Sequence, residues 1–147
     1  MLFRSTIEVE QLVSGVIKFK KPTYIRLGKK GEPTINPNNK LIKIDEINVI
    51  KEGGKILIVS IGNMLGVASE INQILEKQRK LSTLISFHTF EKGSLKEFKN
   101  LINKFEIIIF LEEHFYEGSI SNYLINTFRS ELRNKKIIHT NIKKKFY

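Results

Sequence analysis

The sequence predicts an α/β fold, a three-layer open sheet that is mostly parallel with an antiparallel edge strand. Two observations lead to this prediction. After residue 54, short and continuously apolar runs recur, which is typical of strands buried on both faces. Between them lie stretches whose apolar residues recur at three- and four-residue steps, the period of an amphipathic helix. Parallel strands joined by right-handed helical crossovers are therefore expected, with helices on both faces of the sheet.

Four strands and three helices are predicted in the second part of the chain. The strands are residues 55–61, 82–87, 106–112 and 136–140. The helices are residues 65–78, a helix capped by Ser94 with apolar positions up to Phe105, and a helix from Ile120 to Leu132.

The first part of the chain has a different pattern. Ser5 or Thr6 is expected to cap a helix that continues to Ile17. The remaining predicted segments are the extended residues 22–27, the turn-rich residues 28–39, and two candidate edge strands at residues 41–44 and 47–50.

Length and composition indicate one globular, cytoplasmic protein. The chain has 147 residues, of which 41% are hydrophobic, enough to bury a core. It has no cysteine, which excludes disulfides, thiolate metal sites and a cysteine nucleophile, and no basic-plus-apolar leader opens it. The longest apolar run, residues 55–61, is much shorter than the roughly 20 residues of a membrane helix, so no membrane partner is expected.

The charge balance leaves two interpretations open. Lys and Arg number 25 against 15 Asp and Glu, a net charge of +10. Such an excess is compatible with nucleic-acid binding, or with a solvated basic surface that faces an acidic partner or anionic substrates. Because the cations are divided among several predicted elements rather than placed on one recognition helix, nucleic acid is the less favoured partner.

Sequence motifs assign no catalytic, cofactor or metal residue to this chain. Neither the dinucleotide glycine motif nor the P-loop motif occurs. The three histidines, His88, His114 and His139, have no metal-ligand spacing, and no serine nucleophile elbow is present.

Two strand ends are candidate sites. Residues 60–63 form a strand-to-helix turn that either holds an anion on its free amides or is a plain turn. Glu112, Glu113 and His114 form a polar cluster where α/β ligands usually bind. A carboxylate beside an imidazole suits acid–base catalysis. The favoured interpretation is that the cluster bonds a neighbouring loop or subunit.

A third candidate is the basic segment that follows residue 25. Arg26, Lys29 and Lys30 surround two glycines just after an extended stretch. This composition suits a phosphate or another oxyanion, and it is also that of an ordinary basic loop in water.

Several segments resemble the C-terminal domain of the transketolase-like, thiamine-diphosphate-dependent enzymes. Residues 22–29, PTYIRLGK, resemble the family's PVYIRLGR, and residues 49–53, VIKEG, resemble its VLREG. Residues 86–89, SFHT, are similar to the family's MHT segment. The most specific match is residues 110–118, FLEEHFYEG, which are similar to the family's VEEH motif and the glycines after it.

The resemblance implies roles for particular residues. Arg26 matches the arginine that reaches the phosphate of a sugar substrate. Lys29 falls where related synthases have a second arginine, so it keeps the charge and loses the bidentate geometry. Glu113 and His114 match a strand-end pair that is implied to lie at a subunit interface.

The resemblance also implies a division of the chain and of the enzyme. Residues 1–38 would be the tail end of a pyrimidine-binding domain plus a linker, and residues 39–147 the transketolase C-terminal domain. The family's thiamine diphosphate and divalent metal are bound by parts that have no counterpart here, so the chain alone is expected to bind no cofactor and to be inactive.

The sequence therefore predicts a C-terminal domain or small subunit of a transketolase-like enzyme, which transfers ketol units between sugar phosphates. It would form a homodimer, assemble with a thiamine-diphosphate-binding transketolase subunit, or do both, and contact sugar phosphate in the assembled enzyme. The alternative is a stand-alone basic binding or regulatory module that has kept the fold and lost the enzyme.

Overall fold

The computed structural model describes residues 2–3, 6–27 and 42–142 of the chain. Its elements, in chain order, are β1 (Leu2–Phe3), α1 (Thr6–Phe19), β2 (Arg26–Leu27), β3 (Asn48–Lys51), β4 (Ile56–Ile61), a 3₁₀ turn (Gly62–Met64), α2 (Leu65–Lys77), β5 (Ser82–Phe87), α3 (Lys92–Ile102), β6 (Ile107–Phe115), α4 (Ile120–Thr127), α5 (Arg129–Leu132) and β7 (Lys136–Ile142).

The main sheet has five strands in the order β3-β5-β4-β6-β7. Strands β5, β4, β6 and β7 are parallel, and β3 is an antiparallel edge strand beside β5. The predicted fold class is therefore confirmed. The candidate edge strand at residues 47–50 corresponds to β3.

Helices cover both faces of this sheet, as the alternating pattern predicts. On one face, α3, α4 and α5 bury the larger core, in which the rings of Phe98 and Phe128 lie 5.7 Å apart and Phe98 also contacts Phe87 and Phe110. On the other face α2 alone packs on the sheet, through Leu65 and Ala68. The continuous apolar strands are explained by this burial from two sides.

Three local predictions are wrong. Helix α3 is capped by Glu91, not Ser94; Ser94 is its third residue, and its hydroxyl accepts from the Glu91 amide in a capping box. The predicted helix of residues 120–132 is interrupted at Phe128, which is buried in the larger core.

The candidate strand at residues 41–44 is also absent from its described part, residues 42–44. Backbone groups there bond side chains instead of a neighbouring strand. The Ile42 amide donates to Gln11 Oε1 at 2.9 Å, and the Lys43 carbonyl oxygen lies 3.2 Å from His88 Nε2.

The first part of the chain forms a separate small unit. Strands β1 and β2 pair in parallel, with Leu2 opposite Arg26, and α1 connects them. Helix α1 buries Leu12 against Ile42 in a cluster of its own. Two parallel strands are too few for an independently stable sheet. The division at residue 38 falls outside the described residues and stays a prediction.

Candidate functional site

A crevice lies at the carboxyl ends of β4 and β6, two neighbouring parallel strands. The chain leaves β4 towards α2 on one face and leaves β6 towards α4 on the opposite face. Such a reversal is the topological switch point at which open α/β sheets bind ligands. The crevice is lined by Arg26, Ile61, Gly62, Asn63, Glu112, Glu113 and His114.

Gly62 lines this crevice at the start of the 3₁₀ turn that follows β4. Its φ is +63°, in the left-handed region that favours glycine, and no atom lies within 4 Å of the position that a Cβ would take. The 3₁₀ turn that follows brings half-buried Asn63 to the crevice. The predicted turn at residues 60–63 is therefore a part of the site.

Arg26 reaches the crevice from β2, the short strand of the first unit, and its side chain is exposed. The structure thus brings together Arg26 and the Glu112–His114 cluster, which are far apart in sequence. Lys29 lies outside the described residues. Glu113 is exposed and His114 is half-buried, with its Nδ1 3.3 Å from the Phe115 carbonyl oxygen.

The carboxylate of Glu112 accepts hydrogen bonds from the first residues of α4. Its Oε1 accepts from the Ile120 amide at 3.0 Å, and its Oε2 accepts from the Ser121 amide at 2.8 Å and from the Ser121 hydroxyl at 2.5 Å. A buried carboxylate at a helix N-terminus is stabilised by the free amides and the helix dipole. Glu112 therefore bonds the start of the following helix, and both of its carboxylate oxygens accept hydrogen bonds inside the fold.

His139 extends this network, and sequence reasoning missed it. Its Nε2 lies 2.6 Å from the hydroxyl oxygen of Ser121. Because the single Ser121 proton is donated to Glu112, His139 Nε2 carries the proton that the Ser121 oxygen accepts. Burial lowers the pKa of His139 below its ordinary 6.5, and the negative charge of Glu112 partly opposes this.

The hydrogen bonds among Glu112, Ser121 and His139 hold the fold together rather than face a substrate. Ser121 is fully buried and lies between the acid and the imidazole, so its hydroxyl is not open to a substrate. No signal in the sequence points to the contact, because it depends on the register of β6 and β7, which sets His139 beside Phe110, two residues before Glu112.

The switch-point crevice is too small for thiamine diphosphate. The crevice has a volume of about 20 Å³, room for little more than one water molecule. No group of three or more acidic or histidine side chains that could hold a metal occurs in the described residues. Among the same residues, no helix is long and apolar enough to cross a membrane.

Comparison with known proteins decides the family. Residues 45–140 match the sequence profile of the family described as "Transketolase, C-terminal domain". The chain belongs to this family. Enzymes of the family depend on thiamine diphosphate as holoenzymes.

The curated relatives are longer proteins. The chain is 28% identical over 141 residues to "1-deoxy-D-xylulose-5-phosphate synthase" of Clostridium tetani, covering 95% of this chain and 22% of the relative. It is 26% identical over 121 residues to one of the subunits of an apulose-4-phosphate transketolase from Actinobacillus succinogenes, covering 78% of this chain and 37% of the relative.

A solved structure with the same fold is titled "Split gene transketolase, inactive beta4 tetramer". The two structures have a TM-score of 0.77 at 21% identity, covering 99% of this chain and 48% of the other. The chain therefore spans less than half the length of each of these three proteins.

Proposed function

We propose that this chain is the C-terminal domain or small subunit of a transketolase-like enzyme that transfers ketol units between sugar phosphates in the cytoplasm. The observation that carries the proposal is the switch-point crevice, because an arginine from a separate unit lies there beside the ends of two parallel strands. Family membership supports the reaction class. Catalysis would require a thiamine-diphosphate-binding chain or domain, and the small volume of the switch-point crevice supports this part of the proposal.

Arg26 is proposed to hold the phosphate of the sugar. Its guanidinium presents parallel N–H donors that match a phosphate, and the described residues place no ion pair within 4 Å on it. Because the crevice itself is too small for a phosphate, the phosphate would lie at its open mouth, where Arg26 is exposed. Lys29, three residues further on, would add a second positive charge.

Glu113 and His114 are proposed to contact a partner subunit. Both line the same crevice, and Glu113 is exposed while its neighbour Glu112 is used inside the fold. A partner that bonds them would close the crevice mouth around the Arg26 guanidinium. The assembly would then contribute the walls that this chain lacks.

Two partners are proposed, a second copy of this chain and a thiamine-diphosphate-binding transketolase subunit. Such an assembly is supported by the relative that is itself one subunit of a transketolase, and by the split transketolase titled as a tetramer of β chains. In this account residues 1–38 are the tail end of a pyrimidine-binding domain plus a linker; the pairing of β1 with β2 in a sheet of their own supports this.

Steady-state kinetics of the assembled enzyme test the role of Arg26. Arg26→Ala should raise KM for a phosphorylated aldose acceptor about 30-fold or more, the loss of a charged hydrogen bond worth about 2 kcal/mol. KM for the unphosphorylated aldose should hardly change. Arg129→Ala, which removes an exposed arginine from α5, is the matched control. Equal losses with both acceptors would contradict the phosphate role.

A further inference from the structure

We propose that the switch-point crevice is a hydroxyl pocket, in which the side-chain amide of Asn63 binds the hydroxyl group next to the phosphate of a phosphate ester held by Arg26. The proposal deepens the proposed function, because it rests on the phosphate role of Arg26 and names a further group of the substrate that this chain selects. It is drawn from the volume of the crevice, the side chains that line it and the hydrogen bonds of Asn63.

The volume of the crevice suits one small polar group. About 20 Å³ admits a group of the size of a water molecule and excludes a phosphate. A hydroxyl oxygen has this size. Because Arg26 lines the crevice with an exposed side chain, a phosphate on its guanidinium stays at the mouth. The hydroxyl on the carbon next to the phosphate-bearing carbon is then the nearest group of a sugar phosphate that can enter.

The acidic and imidazole side chains of the crevice have other partners. Both carboxylate oxygens of Glu112 accept hydrogen bonds from the start of α4. His114 Nδ1 lies 3.3 Å from the carbonyl oxygen of Phe115. Glu113 is exposed and is the proposed contact of a partner subunit. The neutral, half-buried side chain of Asn63 is therefore the group that can face a ligand inside the crevice.

The side-chain amide of Asn63 has hydrogen-bonding capacity that the fold does not use. Within the residues that the structure describes, nothing bonds this side chain. The amides of Asn72 in α2 and Asn126 in α4, by contrast, donate to protein oxygens at 2.8 and 2.9 Å. An asparagine amide offers both a donor and an acceptor, and so does a hydroxyl group. The two are matched for a pair of hydrogen bonds.

Such a pocket selects by the hydroxyl and not by charge. Two phosphate esters that differ only in this hydroxyl carry the same charge, so the Arg26 guanidinium attracts them equally. An ester without the hydroxyl leaves the Asn63 amide without a partner, and a site built to bond a hydroxyl discriminates against ligands that lack it.

An NMR titration of the isolated full chain compares two probes, glycerol 3-phosphate and 3-hydroxypropyl phosphate, which differ only in the hydroxyl next to the phosphate-bearing carbon. The wild-type Kd for glycerol 3-phosphate should be about fivefold lower, the gain of a neutral hydrogen bond. Asn63→Ala should remove this difference and leave the Kd for 3-hydroxypropyl phosphate unchanged. Asn100→Ala, which removes an exposed asparagine side chain from α3, is the matched control and should keep the difference.

The side-chain amide resonance of Asn63 should shift with glycerol 3-phosphate and stay in place with the other ester, a response that a purely structural role would not give. Asn63→Leu, which keeps the size of the side chain without its amide, decides the matter if Asn63→Ala does not fold. Equal wild-type Kd values for the two esters overturn the proposal, as does a preference that survives the loss of the Asn63 amide.

Arg26→Ala separates this inference from the proposed function on which it rests. If Arg26→Ala weakens both esters and Asn63→Ala changes neither, the hydroxyl pocket is overturned and the phosphate role of Arg26 stands. If wild type binds neither ester, or Arg26→Ala changes neither affinity, the phosphate role is overturned as well. Activity of the assembled enzyme does not enter this measurement.

Discussion

Single side chains at the carboxyl edge of the sheet divide into two groups. Glu112, Ser121 and His139 bond one another inside the fold. Arg26 and Glu113 are exposed in the crevice next to them. The buried group fixes the start of α4 and the position of β7, while the exposed pair is available to a ligand or partner.

Protonation of His139 should make the chain less stable in mild acid. Its pKa is 6.5 when unfolded and lower when folded, so the unfolded state binds the proton more readily. The contribution of neutral His139 to the free energy of unfolding is complete above pH 6.5. It is lost as pH falls through the lower pKa of the folded state.

Thermal unfolding of wild type and His139→Gln should converge as pH falls from about 8 to about 5.5. A constant difference in Tm between wild type and His139→Gln at all pH values would contradict the protonation account.

The His139 contact was beyond the sequence because it joins side chains from three elements. Glu112 was recognised as part of a polar cluster, and Arg26 as a candidate anion ligand. Their convergence in one crevice depends on where β2 lies relative to β4 and β6, and spacing along the chain does not encode this placement. The register of β6 and β7 likewise decides that His139 meets Ser121.

At the scale of elements, residues 42–47 fasten the first unit to the main domain. Asp45 has a φ of +73°, and its Oδ1 accepts from the Gly93 amide at 2.5 Å and from the Ser94 amide at 3.3 Å. The Ile47 amide donates to Glu97 Oε2 at 2.7 Å. The start of α3 is thus held by a carboxylate from the connecting segment as well as by its own capping box.

Asp45→Ala should therefore destabilise the chain by about 1 kcal/mol, the usual cost of losing a carboxylate cap. Urea unfolding measures this loss. Glu46→Ala is the control, because Glu46 is exposed and pairs only with Lys43 within one turn at the surface. Equal stability of Asp45→Ala and wild type would show that the capping box of α3 suffices.

Helices and strands were predictable from the sequence where the period of the apolar residues matches the positions that the structure buries. The four parallel strands were predicted from short runs rich in apolar residues, and α2 from its single apolar face. One error arose where a side chain replaced a backbone partner, as at Gln11 with Ile42. Helix caps such as Glu91 depend on single hydrogen bonds that periodicity does not reveal.

At the scale of the whole molecule, the net charge of +10 is dispersed. Cations end both α1 and α2, and others are bound by acids, as Lys99 is by Glu131 at 3.0 Å. Hydrogen bonds from Ser130 and Lys99 lower the pKa of Glu131 to about 2, so this partner stays charged in mild acid. The cations of these described elements are therefore divided among several helices rather than gathered on one.

Nucleic-acid affinity should accordingly be weak and depend little on salt. Between about 50 and 200 mM salt, binding to a labelled duplex should fall by no more than about tenfold, since few phosphates are contacted together. Fluorescence anisotropy measures this slope. A fall of about a thousandfold would instead support the stand-alone basic module, because it requires many phosphate contacts.

Reconstitution with a thiamine-diphosphate-binding chain tests the central claim most directly. The tagged chain is used to recover its near-stoichiometric partner from lysate of the source organism, and ketol transfer between sugar phosphates is measured with each chain alone and with both. The account predicts activity only for the mixture, with thiamine diphosphate and a divalent metal added. Return of the folded chain without such a partner, or a mixture no more active than its parts, would contradict it.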